Sequence, residues 1–207
     1  MWIGDPEIGN PKVKLARKLM DKKLSGCKRM FWENSNSAAL IKDQFPEYLD
    51  VFEGYKYDIQ KSDFARQCVL FAHGGLYADL SFKIRGSLNK LLDKYKSYNV
   101  LFFVEIILPD YIINNPDFKK ERAIRKKALE LGLIDTEEEP PLRLFSGLIF
   151  SRQTKHPIFA EIIKEAKKRS IFPIQSPYDA IFTVGPDLVT HVAHKNIEKM
   201  KDIGIVS

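Results

Sequence analysis

An α/β sandwich built around a largely parallel sheet is the fold class that the sequence predicts, on three observations. Val100–Leu108 and Leu144–Phe150 are near-continuous apolar, β-branched and aromatic runs, the pattern of strands covered on both faces. Segments with helical apolar spacing alternate with them, as in βαβ architectures. The chain has 207 residues, 44% of them hydrophobic, enough to bury a core as a single domain over 1–207. A further strand is predicted just before Ser207, so a longer polypeptide with this as its first domain is compatible with the pattern.

Each element has its own warrant. Val13, Leu15, Ala16, Leu19, Met20 and Leu24 recur at helical spacing ahead of Gly26, predicting an amphipathic helix over 12–25. Lys12, Lys14, Arg17 and Lys18 form its wet side. Lys28–Trp32 reads as a short strand, and Ser35 or Asn36 caps a helix that runs to about Phe45 and is closed by Pro46. From Ser62 to His73 the pattern is helical again: Phe64, Cys68 and Phe71 share one face, Asp63 and Arg66 another, and Gly74-Gly75 stops it. Leu76–Ala78 is the strand leaving that corner. Phe118–Leu131 is a helix stopped by Gly132. His156-Pro157 opens a helix to about Arg169, and Ser176-Pro177 and Pro186-Asp187 each begin a further helical turn.

Composition narrows the function. Lys and Arg outnumber Asp and Glu 33 to 27, a net charge of +6 that favours anionic partners. Neither an RNA-recognition motif nor zinc-finger spacing is present, so no nucleic-acid partner is expected. No apolar run reaches the roughly 18 residues of a membrane span, so no membrane insertion is expected. Cys27 and Cys68 suit a buried pair of thiols in a reducing compartment, and Met1–Asp5 carries no secretory leader. A cytoplasmic location follows, the host cytoplasm if the chain is viral.

Chemistry concentrates in Lys61–Ser81. Asp63 and Arg66, three apart on a helix, present an acceptor and a forked donor to one polyhydroxylated ligand. Gly74-Gly75 permits close approach of backbone to ligand. Asp79 follows an apolar strand, which puts a carboxylate at the rim where open α/β sheets bind ligands. There it can hold a divalent cation whose shell is completed by diphosphate oxygens and water. The plainer alternative is that Asp63 and Arg66 only pair with each other and Asp79 only ends a strand. His191 and His194, three apart after Pro186-Asp187, share a helix face and are candidate ligands or surface groups with equal weight.

Ser62-Asp63, Arg66, Phe71, Gly74-Gly75, Tyr77 and Asp79 closely resemble the hallmark of the retaining glycosyltransferases with the DXD sugar-binding region. That family includes mannosyltransferases, capsular sugar transferases and, distantly, clostridial glucosylating toxins. The likeness runs closest to a glycosyltransferase domain found in a chlorella virus. It extends to Trp2-Ile3-Gly4, to Ser146–Ser151 with His156-Pro157, and to Gly185–Thr190. The resemblance implies a glycosyltransferase-A type, Rossmann-like nucleotide-binding fold with a mostly parallel sheet. It further implies a UDP-sugar donor, a glycan or glycoprotein acceptor, and Mn2+ or Mg2+.

By the same likeness, Asp63, Arg66 and Asp79 are catalytic. Trp2, stacking on the base, Gly75, Tyr77, Leu80, Ser146 and Gly185 join them in binding the donor. Asp79, Ser81 and His191 hold the cation. Two departures matter: Ser146 stands where relatives often have asparagine, and Ser81 stands where the family has its second aspartate, removing a charged ligand. The site then leans more on the phosphates of the nucleotide, or the chain is a degenerate module that binds nucleotide-sugar or glycan without turnover. No carboxylate occupies an evident nucleophile position, which favours front-face substitution.

Overall fold

The computed structural model describes residues 11–24, 26–79, 82, 86–107, 116–138, 140–176 and 178–207, with the backbone alone at 12, 13, 16, 17 and 116–118. Helices α1 (Pro11–Lys23), α2 (Asn34–Gln44), α3 (Leu49–Gly54) and α4 (Asp58–His73) precede strand β1 (Gly75–Ala78). Then follow α5 (Leu88–Lys94), β2 (Val100–Ile107), α6 (Pro116–Glu130), β3 (Leu142–Ser151), α7 (Pro157–Arg169), α8 (Tyr178–Thr183), α9 (Pro186–Asn196) and β4 (Ile203–Val206).

The four strands form one sheet in the order β1-β3-β2-β4. It is α/β and flanked by helices, but it is mixed: β3 runs antiparallel to both β1 and β2, and β4 alone is parallel to β2. The expectation of a mostly parallel sheet is corrected here. A continuous apolar run reports burial on both faces, not direction, and a central antiparallel strand covered on both sides reads the same way.

Both faces are indeed covered. Val100, Phe102 and Ile149 point into the main core with Phe64, Cys68 and Leu70 of α4, Ile158, Phe159 and Ile162 of α7, and Leu188 and Val189 of α9. Leu101, Phe150 and Val206 point the other way, against Leu91 and Leu92 of α5, as period-two alternation requires. A third cluster, Ala128, Leu133, Ile134, Phe172 and Phe182, sits under α6 and α8.

Three local expectations fail. Lys28–Trp32 is irregular rather than a strand: among the described residues no strand pairs with it, and the Asn36 side-chain amide donates to the Phe31 carbonyl instead (2.8 Å). Cys27 is exposed, so only Cys68 is a buried thiol, its ionisation pushed well up by burial. Helix α4 starts four residues before the expected Ser62, because Gln60 reaches back to the Tyr57 amide (3.2 Å) and closes the first turn. Among the described residues no helix is long and apolar enough to cross a membrane.

Candidate functional site

The site is assembled at the corner where α4 gives way to β1. From Ser62 to Leu70 every residue of α4 is buried, so polar groups on it face protein rather than water. The helix ends at Gly74, whose φ of 63° lies in the left-handed region, and a Cβ there would meet the Gln153 carbonyl oxygen at 3.0 Å. Gly75 follows at φ 86°. Two consecutive left-handed residues strongly favour glycine, and they turn the chain so that β1 pairs with the end of β3.

That pairing sets the register of Asp79. Ala78 lies opposite Leu148, and the Asp79 amide donates to the Gly147 carbonyl (2.9 Å), carrying the ladder one residue further. Asp79 thereby lands beside Ser146 and Gly147. A Cβ on Gly147 would sit 2.3 Å from Asp79 Oδ2, so only glycine leaves room for the carboxylate where it is.

Arg66 is the hub. Its Nη2 lies 2.6 Å from Asp63 Oδ1 and 3.6 Å from Asp79 Oδ1, and its Nη1 donates to Ser146 Oγ at 3.2 Å. The guanidinium stacks over the Tyr77 ring, 4.8 Å from its centroid. The Tyr77 hydroxyl in turn donates to Asp79 Oδ1 (2.9 Å). Asp63 and Arg66 are only 4% and 3% exposed, whereas the Asp79 side chain is 33% exposed. Thus Asp63 and Arg66 do pair, as the plainer alternative had it, but the pair is also tied to the one carboxylate that faces outward.

The electrostatics are unbalanced. Burial, reinforced by the charge of Asp79 and opposed by Arg66, pushes the Asp63 carboxyl up to about 6. Burial opposes the Arg66 charge, but Asp63, Tyr77 and Asp79 outweigh it and hold the guanidinium protonated. Burial also raises the Tyr77 phenol, keeping it a hydroxyl donor. The buried Arg66 Nε has no partner among the described residues, nor have the Gln67 amide atoms one turn from Asp63. Buried donors left unmade cost free energy unless a ligand or water meets them.

Several sequence candidates lie elsewhere. Trp2, Leu80 and Ser81 are outside the described residues. Gly185 precedes α9, where a Cβ would meet Ile181 Cα at 2.8 Å, so its small size serves α8–α9 packing. His191 is not brought to Asp79. It lines a cleft of about 470 Å3 with His194, Lys195, Asp135, Glu138 and Pro140, and burial, then Arg169, lowers its basicity. Among the described residues no three His, Cys, Asp or Glu side chains form a metal-binding group. Of the two carboxylates at the corner, Asp63 is buried and the Asp79 side chain is the partly exposed one. Gly147, not singled out from sequence as a site residue, had a readable signal: a glycine inside a buried strand marks close approach.

Comparison with known proteins agrees with this corner. Residues 11–98 match the model of the glycosyltransferase sugar-binding region containing DXD motif. An uncharacterised glycosyltransferase of Acanthamoeba polyphaga mimivirus is 41% identical over 68 residues, covering 32% of this chain and 27% of that protein. A mannosyl phosphorylinositol ceramide synthase of Saccharomyces cerevisiae is 37% identical over 65 residues, 31% of this chain and 17% of the relative. Inositol phosphoceramide mannosyltransferase 1 of Schizosaccharomyces pombe is 30% identical over 70 residues, 34% and 22% respectively. The likeness thus spans about a quarter or less of these relatives' lengths. No solved structure matches the chain.

Proposed function

We propose that this chain, whose residues 11–98 match the sugar-binding region of the DXD glycosyltransferases, is one glycosyltransferase-A type catalytic domain. It moves a sugar with retention from a UDP-sugar to a glycan or glycoprotein acceptor, in the cytoplasm, with Mn2+ or Mg2+ bound. One observation carries this reading: Asp63 and Asp79 converge on the Arg66 guanidinium, with Asp79 open to the outside at the glycine corner. The names of the yeast relatives make a mannosyl donor and a lipid-linked acceptor further candidates, and the mimivirus relative supports a viral source.

In this reading Asp79, with Ser81, would hold the cation, whose charge would stabilise the departing diphosphate. Arg66 fixes the Asp79 carboxylate and offers its unpartnered Nε to a sugar hydroxyl. Asp63 orients Arg66 and accepts from the sugar ring. Tyr77 and Ser146 lock the guanidinium, and Gly75 and Gly147 let ligand and carboxylate approach the backbone. Without an evident nucleophilic carboxylate, positioning and electrostatic stabilisation of an oxocarbenium-like state do most of the work.

A second reading, a binding module without turnover, is favoured by Ser81 in place of the family's second aspartate. Incubating the purified chain with UDP- and GDP-sugars, with and without Mn2+, separates the two. Metal-stimulated nucleotide release supports the transferase. Saturable donor binding with no release supports the module, and neither binding nor release removes both.

A further inference from the structure

Helix α1 lies outside the site and carries a pattern the proposed reaction does not use. Of its residues Pro11–Lys23, six are basic (Lys12, Lys14, Arg17, Lys18, Lys22, Lys23) and one is acidic, Asp21. Arg29 claims that acid: it pairs with the Asp21 carboxylate and donates to its carbonyl (3.3 Å). The helix is left strongly positive. Met20 and Leu24 on one side are half-buried. Leu15 and Leu19 point the other way and are 53% and 43% exposed.

At 100° per residue the two leucines lie about 40° apart on the helix surface. Exposed Lys14, Lys18 and Lys22 flank them on one edge and exposed Lys23 on the other. A solvated face has no use for leucines in its middle, and a protein-packed face would not ring them with lysines. An apolar ridge between lysine rows fits a bilayer boundary. There, leucines enter the acyl region while long lysine stems extend their ammonium groups to lipid phosphates.

We propose that α1 is a peripheral membrane-docking helix that binds anionic lipid surfaces through Leu15, Leu19 and the Lys14, Lys18, Lys22 row. The contact lies in the interface plane and is distinct from insertion across the bilayer. It is independent of the transferase reading, since no site residue lies on α1. The choice of an anionic bilayer over a protein partner rests on charge: each lysine near such a surface contributes about fivefold in affinity, with no acidic groove required to match the row.

Flotation of the whole chain with vesicles of phosphatidylcholine, alone or with phosphatidylserine, tests it. Binding is expected to the phosphatidylserine vesicles, at least tenfold weaker to phosphatidylcholine alone, and lost on raising salt from about 0.1 to about 1 M. Lys14→Gln/Lys18→Gln/Lys22→Gln is expected to lose the anionic preference. Leu15→Ser/Leu19→Ser is expected to weaken binding about tenfold even at low salt. Because these positions are exposed, each variant should retain the parent's circular dichroism and thermal midpoint. Equal binding to both vesicle types, or no binding, overturns the proposal. So does retention by folded leucine variants, or a concentration-dependent dimer abolished by Leu15→Ser/Leu19→Ser, which would assign the ridge to a second copy.

Discussion

Two buried arginine–aspartate clusters use the same side chains to opposite ends. In one, Asp187 at the start of α9 receives Arg125 from α6 and Arg169 from α7, each at 2.7 Å and on a different carboxylate oxygen. Arg125 spends its remaining donors on the carbonyls of Thr136, Glu137 and Glu138. Burial works against the Asp187 charge, but Arg169 and Arg125 outweigh it and hold the carboxyl below its ordinary range. In the other, two carboxylates share Arg66, the pKa of Asp63 goes up, and Arg66 Nε has no partner among the described residues. The first cluster is closed to solvent at Asp187 and binds three helices together, although Arg169 Nη2 has no partner among the described residues. The second is short of positive charge and open on the Asp79 side, the condition in which a cation or a hydrogen-bonding ligand gains most.

The sharpest test of that contrast is to remove charge from each cluster. Asp187→Asn leaves Arg125 buried without a counter-charge and Arg169 with Glu165 alone (3.0 Å), and is expected to cost about 3–5 kcal/mol in chemical denaturation. Asp79→Asn should leave stability nearly unchanged. In the proposed transferase it should lower metal-stimulated nucleotide release by about 10²–10³-fold. If instead Asp79→Asn unfolds the protein and Asp187→Asn does not, the assignment of the two clusters is reversed.

A smaller effect is expected from Gly147→Ala. The new methyl displaces the Asp79 carboxylate and the Phe145 ring, whose Cζ would lie 2.6 Å away. Metal-dependent nucleotide affinity, read by calorimetry, should weaken about tenfold, with about 1–3 kcal/mol of overpacking strain.

The smallest effect is in pH dependence, where the two aspartates carry opposite signs. Asp63 has a folded pKa of about 6 against 3.8 for the unfolded chain. The unfolded state therefore ionises first, and the contribution of Asp63 to stability falls as pH rises from about 4 to about 6. Asp187 is lowered below 3.8, so its contribution is present above that value and is lost as pH falls through its folded pKa. Unfolding midpoints measured from pH 3 to 7 should lose the upper slope in Asp63→Asn and the lower slope in Asp187→Asn. In the proposed transferase, donor binding should also weaken below about pH 6 as the Asp63 acceptor is protonated, and Asp63→Asn should flatten that profile.

Much of this was legible beforehand, for reasons that differ by residue. Gly74-Gly75 announced a corner, because their conformations are closed to side chains, and the apolar runs at Val100 and Leu144 announced buried strands. The spacing of Asp63 and Arg66 placed them together. Strand direction was not legible, nor was the irregular course of Lys28–Trp32, whose apolar residues lack a partner strand. The closed cluster was invisible too: Arg125, Arg169 and Asp187 are far apart in sequence, and in a charge-rich helix like α6 a buried arginine looks like a solvated one. His191 and His194 do share a face, as their spacing suggested, and that face lines a cleft with Asp135 and Pro140, which spacing alone did not show.

Local rules therefore determined, from sequence alone, where the chain turns, which segments are buried, and which acid and base stand one helical turn apart. These depend on backbone sterics and periodicity within a few residues. Only the tertiary structure decided which charges meet. Pairing β1 with β3 brought Asp79 to Gly147 and Arg66 to Ser146, and packing α6, α7 and α9 together closed the ring around Asp187. Coulombic and hydrogen-bond energies depend on through-space distance and burial, and neither is encoded in spacing along the chain.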